Sequence, residues 1–248
     1  MKTTSDNGFI KATARKQLLG NYRTAVFAYL IASAIITTLS GIFRMQLSAG
    51  RLLQLFIYCI VEVIILLLSS IFLAGQNYLY LNIARGRDYS YRDVWFGFVR
   101  HADRVIRIEL FMMLHMIIRG LPFFISAMLL LALRSDFWVA ATVIFGLQFL
   151  INAVSLQLTY FPALFLILDD ENADMRMIVE GSILLMNGNR LRLFKLILSF
   201  IGLYILSLIT FGLGFLWVGP YYYSSRANFY LDLLRRRRTM KIRNNGTL

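Results

Sequence analysis

The sequence predicts an all-α membrane protein, a polytopic helical bundle of about six transmembrane helices with amphipathic helices along its cytoplasmic face. Three observations predict it. Uncharged apolar runs recur at spanning length, which begins at about 18 residues. Basic residues alternate between rich and poor segments, and short amphipathic stretches separate several of the runs. Of the 248 residues, 58% are hydrophobic, and a soluble domain of this length has room for one core and no need of such runs.

The first run covers 26–43, behind Lys11, Arg15 and Lys16. It is longer than the roughly 7–15 residues of a signal-peptide core, and no small-residue cleavage site follows. An uncleaved first span at 25–43 is therefore expected. The second run, 52–83, is broken only by Glu62 and gives a span at 52–81. The third, 110–133, holds His115 and Arg119 and extends back to give 106–133. The fourth, 137–168, gives 137–167.

The last run, 196–225, is 30 uncharged residues, enough for one long tilted helix. A single crossing would put Arg235, Arg236, Arg237 and Arg238 outside, against the tendency of basic segments to stay cytoplasmic. Glycines in Phe211-Gly-Leu-Gly214 allow a tight turn near the middle. Two shorter crossings, 191–210 and 213–234, are expected instead, with Arg226 close enough to the inner side to snorkel. Residues 1–234 then form a single membrane domain, and 235–248 a basic cytoplasmic tail.

Basic residues in successive segments number 5 (Lys2 to Arg23), 2 (Arg44, Arg51), 6 (Arg85 to Arg107), 1 (Arg134), 4 (Arg176 to Lys195) and 7 (Arg226 to Arg243). The rich segments are assigned to the cytoplasm, so both termini lie inside. Trp138 and Trp217 fall at the expected outer boundary and Trp95 in a basic inner segment, where a ring with one N–H suits an interface.

The inner segments carry helix signals. Ser90-Tyr-Arg-Asp93 before Val94-Trp-Phe-Gly-Phe98 fits a capping box. Asp169, Asp170, Glu171 and Asp174 precede Met175, Ile178, Val179, Ser182 and Met186, one stripe at helical spacing, with Gly188 as terminator. Stretches 18–30, 98–110 and 184–196 each pass from a short helix through a basic elbow into a span. Three repeated units and convergent interface composition both account for that.

Glu62 sits about 15 Å deep in its span at ~1.5 Å per residue. Arg119, counted from the inner side, reaches a similar level, and His115 lies one turn away on its face. A charge at that depth costs roughly 2.5–3.5 kcal/mol and faces protein or water. Glu62, His115 and Arg119 therefore fit either a proton- or ion-linked site or an ion pair setting helix register. Gln148, Asn152, Ser155 and Thr159 share one face of the fourth span, as Glu62, Ser69 and Gln76 do in the second. Each stripe fits a polar path or interhelical hydrogen bonding, typically ~0.6 kcal/mol per bond.

Arg190, Arg192 and Lys195 mark the rim of the fifth span. Together with Arg235, Arg236, Arg237 and Arg238 they are expected at anionic lipid headgroups, at about 1 kcal/mol each near the surface. No nucleic-acid partner is needed. Cys59, alone in an apolar run, reads as packing, and two histidines (His101, His115) make no metal site. No cofactor or metal is expected. No phosphate-binding loop, His-Glu-x-x-His or Gly-x-Ser-x-Gly signature is present, so no catalytic residue is assigned.

Several motifs in order resemble one family. They are Arg85-Gly86, Ser90-x-x-Asp93, Phe96-Gly97-Phe98, Ser182-Ile-Leu-Leu-Met186-Asn-Gly188, Leu198-Ser199-Phe200-Ile201-Gly202, Gly219-Pro220-Tyr221 and Ala227-Asn-Phe229-Tyr230. Together they resemble the uncharacterised bacterial integral-membrane family known as domain of unknown function 975, over nearly the whole chain. Two departures are Arg85-Gly-Arg87-Asp88 where the family has Arg-Gly-Glu, and Gly120-Leu-Pro122 where it has Pro-Gly. The chain is also similar, more distantly, to the membrane domain of glycerophosphodiester phosphodiesterases. The resemblance brings no catalytic or binding residues. It implies a multi-pass protein of the bacterial plasma membrane, expected to be non-enzymatic and envelope-associated or accessory. A membrane-protein partner or a second copy is left open. The alternative is a small transporter or permease component built around Glu62.

Overall fold

The computed structural model describes residues 6–44, 52–100, 102–170 and 172–245. Lys2, Arg51, His101 and Glu171, invoked above, lie outside the described residues. Every regular element among those described is helical.

The chain opens with α1 (Asn7–Leu18), which buries Ile10, Ala14 and Leu18. A bend of 101° separates it from α2 (Tyr22–Arg44), with Gly20 in the left-handed region at φ 89°. Next comes α3 (Leu52–Arg85), then a 3₁₀ turn (Tyr91–Trp95) leading into the short α4 (Phe96–Arg100). The predicted capping box is present: the Ser90 hydroxyl accepts from the Arg92 N–H, and Asp93 accepts from the Ser90 N–H at 3.1 Å. It opens a 3₁₀ turn rather than an α-helix.

The 3₁₀ turn lies so close to α3 that a Cβ on Gly75 would stand 1.9 Å from the Val94 carbonyl oxygen. Aromatic contacts complete that seam, with Phe72 edge-on to Trp95 and Phe98 and Tyr78 stacked on Phe96 at 3.7 Å. Trp95 is thus held against α3.

The second hairpin is α5 (Ala102–Leu133) and α6 (Asp136–Thr159), turning at Arg134 with φ 47°. After Thr159 the sequence Tyr160-Phe-Pro162 interrupts the helix, since proline lacks an N–H to continue the ladder, and α7 (Ala163–Asp169) resumes the path. The expected span at 137–167 thus consists of two helices within one apolar stretch, Asp136–Asp169. Within α7, Phe165 and Ile167 are fully buried.

Asp174 caps α8 (Met175–Met186), accepting from the Met175 N–H at 2.8 Å. Its predicted stripe points inward, with Ile178, Ser182 and Met186 at 0–1% exposure. Gly188, at φ 71°, turns the chain into α9 (Arg190–Ile209). A turn with Phe211 at φ 51° and Gly212 at φ 86° then reverses it into α10 (Phe215–Asn245). The long last run is two helices, as the glycines predict. The helix continues through the basic residues, so no break in secondary structure separates 234 from 235.

The element order repeats. A short helix precedes a pair of long ones three times: α1 before α2 and α3, α4 before α5 and α6, α8 before α9 and α10. The main core gathers where the returning helices end, around Tyr80, Phe165, Phe200, Phe229 and Tyr230. The far half of the α5–α6 hairpin is different. It packs mainly on itself through Phe123, Phe124 and Phe149, while Met128, Leu131, Phe137 and Ile144 face outward.

Among the described residues four stretches are long and apolar enough to cross a membrane: Phe56–Arg85, Ala102–Leu133, Asp136–Asp169 and Arg190–Ile209. The bent α1–α2 pair makes five. In the most apolar windows of α5 and of 136–169 only 11% and 6% of residues are buried inside the protein. Such a surface is incompatible with water and suited to lipid. The chain is a membrane protein. Cys59, read above as core packing, is instead exposed on the outer face of α3.

Candidate functional site

The polar residues singled out in the spans are only partly brought together. Glu62 is half-buried on α3, and its Oε1 is enclosed with no hydrogen-bond partner among the described residues. Arg119, exposed on α5, donates from Nη1 to Asn152 Oδ1 on α6 at 3.4 Å. Among the described residues no ion pair links Glu62 to Arg119. His115 rests beside the Phe111 ring at 6.2 Å, and Gln148 is exposed. Thr159 turns its hydroxyl back to the Ser155 carbonyl at 2.6 Å within its own helix. Gln76 is buried, its Nε2 without a hydrogen-bond partner among the described residues.

The strongest polar geometry lies where α3 and α7 end. Arg85, last residue of α3, forms a fork-to-fork pair with Asp169, last residue of α7: Nη1 to Oδ1 at 2.6 Å and Nη2 to Oδ2 at 2.8 Å. The Tyr230 hydroxyl on α10 donates to the same Oδ2 at 2.7 Å, and the Tyr230 ring stacks on Phe165 at 4.8 Å. The two charged side chains are 20% and 19% exposed. Three returning helices are thus tied at one carboxylate. Beside it Gln17 of α1 donates to the Ala84 carbonyl at 3.0 Å and accepts from Asn228 of α10 at 2.6 Å. Tyr89 donates to Asn21 Oδ1.

A second knot engages residues expected at lipid headgroups. Arg192 Nη2 reaches Asp232 Oδ2 at 2.5 Å, Arg236 Nε reaches the same oxygen at 2.9 Å, and the Arg192 guanidinium lies 4.9 Å from the Phe229 ring centre. Both arginines turn to a carboxylate of their own chain, because Asp232 is one helical turn from Arg236 and faces α9. Arg190, Lys195, Arg235, Arg237 and Arg238 are exposed.

Between α3, α5, α6, α7 and α10 lies a partly open cavity of about 320 Å³. Glu109, Gln157, Ser69 and Ser70 line it together with Tyr160, Tyr223 and Arg226, against apolar walls from Leu66, Leu73, Ile108, Met112 and Leu164. Arg226, expected near the inner side, borders this cavity. Its guanidinium lies over the rings of Phe161, Tyr222 and Tyr223 at 5.2, 5.6 and 5.6 Å.

Comparison with known proteins places the chain. The family model described as protein of unknown function (DUF975) matches residues 1–237. The chain belongs to the DUF975 family. No curated protein and no solved structure matches it, so the more distant resemblance to phosphodiesterase membrane domains gains no support.

The DUF975 motifs recognised in the sequence coincide with these polar knots and the core beside them. Arg85 grips Asp169, Asn228 reaches Gln17, Phe229 and Tyr230 are fully buried, and Ser182 and Met186 close the same core. A Cβ on Gly219 would fall 2.4 Å from the Tyr29 ring, so α2 approaches α10 there. Sequence reasoning passed over Glu109 and Asp232, and took Asp169 only for a helix-start acid. Arg226 carried a usable signal, as the lone charge between Lys195 and Asp232. Asp169 carried none, because its partners are 84 and 61 residues away.

Proposed function

We propose that this DUF975 protein is a non-enzymatic, envelope-associated or accessory protein of the bacterial plasma membrane. It crosses six times and keeps both termini in the cytoplasm. The observation that carries the reading is the threefold unit of short helix plus long hairpin, whose basic ends meet at the Arg85–Asp169–Tyr230 tie. Each hairpin crosses out and back, so three hairpins supply six crossings and return the chain to the basic side.

The sixth helix, α10, is less apolar than the others for a physical reason. Tyr221, Ala227, Phe229, Tyr230 and Leu233 are covered by protein rather than lipid. A helix enclosed by its neighbours carries tyrosine, serine and an aspartate without the cost of facing hydrocarbon.

Single-cysteine labelling in intact cells tests this, with Cys59 first replaced by Ser. A cysteine at Ser135 is expected to react from outside and one at Thr239 only after permeabilisation. Outside labelling at Thr239 would remove the sixth crossing.

A second reading, a small transporter component, is favoured by the partly open cavity that places Glu109 and Arg226 among apolar walls. A proteoliposome flux assay comparing wild type with Glu109→Gln and Glu62→Gln distinguishes the two. Loss of a pH-dependent flux supports transport, and lowered thermal stability with no flux in any variant supports the accessory role.

A further inference from the structure

We infer that the cavity between α3, α5, α6, α7 and α10 binds an amphiphile with an anionic headgroup, a phosphate or carboxylate seated on Arg226 and an acyl chain along the apolar wall. The inference rests on the membrane reading above.

Arg226 lies about 16 Å along α10 from its Phe215 end, at ~1.5 Å per residue. It also lies about 9 Å before the level of Asp232, so it belongs to the inner half of the membrane layer. A guanidinium has five N–H donors and cannot be neutralised there. The rings of Phe161, Tyr222 and Tyr223 offset part of its charge through their faces, but a π-face does not replace acceptors for that many N–H groups. Among the described residues nothing forms an ion pair or hydrogen bond with it.

Three other arginines held within the fold are treated differently. Arg85 and Arg192 each hold an aspartate, and Arg119 holds an asparagine oxygen. Arg226 alone of these four is held by aromatic faces only, beside a cavity. An unpaired charge at this depth costs several kcal/mol and is kept where it meets an anion or water.

The cavity walls indicate what kind of anion. Gln157, Ser69 and the Tyr160 hydroxyl offer neutral hydrogen bonds around a headgroup, while Leu66, Leu73 and Met112 form a surface for hydrocarbon. Glu109, on the α5 wall, has no ion-pair or hydrogen-bond partner among the described residues. It repels a second anion and accepts from a hydroxyl or ammonium, which fits a headgroup with one anionic group and one donor. A volume of about 320 Å³ holds a headgroup and the first part of a chain and leaves the rest to pass through the open side.

The test uses the full chain purified in a neutral detergent, with native mass spectrometry as readout. The probes are dioleoylphosphatidylglycerol, dioleoylglycerol (which lacks the phosphate) and inorganic phosphate. One phosphatidylglycerol per chain is expected, with at least tenfold weaker retention in Arg226→Gln and partial recovery in Arg226→Lys. Equal retention of phosphatidylglycerol by wild type and Arg226→Gln, or equal retention of dioleoylglycerol and phosphatidylglycerol by wild type, overturns the inference. Binding of inorganic phosphate without phosphatidylglycerol overturns the amphiphile and leaves a free anion as ligand.

If Arg226→Gln does not fold, Ser69→Phe decides, since it fills the cavity from α3 and leaves Arg226 intact; unchanged phosphatidylglycerol retention there overturns the site. The membrane reading fails separately, if the chain is released from native membranes by alkaline carbonate.

Discussion

At the scale of single residues, Asp169 is where the most depends on the fewest atoms. Its carboxylate accepts two N–H bonds from Arg85 and the Tyr230 hydroxyl, with about four-fifths of each charged side chain covered. Asp169→Asn leaves the Arg85 guanidinium uncompensated, a loss of about 3–5 kcal/mol where one partner of a buried pair is removed. Tyr230→Phe removes one hydrogen bond to a charged group, about 1.5–3 kcal/mol. Thermal-denaturation midpoints in detergent should therefore rank wild type above Tyr230→Phe above Asp169→Asn. An Asp169→Asn midpoint equal to wild type would show that the tie contributes nothing to stability. None of this was legible in the sequence. Arg85 entered as a counted basic residue and a motif letter and Tyr230 as a motif letter, and neither periodicity nor charge counting reports which residues meet across sequence separations of 84 and 61.

At the scale of elements, apolar run length and glycine placement carried most of what the sequence shows. Run length located the long helices. Glycines located the turn at Phe211-Gly212, and the acid-then-apolar pattern located α8. The seam between α3 and the 3₁₀ turn was not visible, because close backbone approach leaves no mark beyond the absence of a side chain. Gly75→Ala tests it. The added Cβ meets the Val94 carbonyl at 1.9 Å, so the turn must move away, at about 1–3 kcal/mol for overpacking. Faster hydrogen exchange across residues 91–100 is expected. Gly202→Ala is the matched control: nothing lies within 4 Å of its Cβ, and an exposed helical site gains up to about 1 kcal/mol from the substitution. Equal exchange in the two variants would dissolve the seam.

At the scale of the whole molecule, burial is uneven. Phe165 is fully buried at the inner core, whereas Leu131, at the far end of the α5–α6 hairpin, is 79% exposed. Phe165→Ala should cost about 3–5 kcal/mol, as expected for a large buried aromatic. Leu131→Ala should stay within about 0.5 kcal/mol in detergent, as for a site with few protein contacts. A large loss at Leu131 would mean that this surface packs against another protein rather than lipid. The membrane class and the all-helical architecture were legible from composition and run length. The cavity was not, because its walls come from five helices and its charges, Glu109 and Arg226, are 117 positions apart.

The knot that ties α3, α7 and α10 also has an order in time. A chain made from its N-terminus emits Arg85 first, Asp169 with the end of the second hairpin, and Tyr230 only with the last helix. Until α10 emerges, Gln17 waits for Asn228, and the pair formed by the first two hairpins lacks its tyrosine. The last helix made is thus the clasp of the assembly. A nascent chain halted before residue 215 would hold its hairpins side by side but unlocked, and open to whatever in the membrane meets them first.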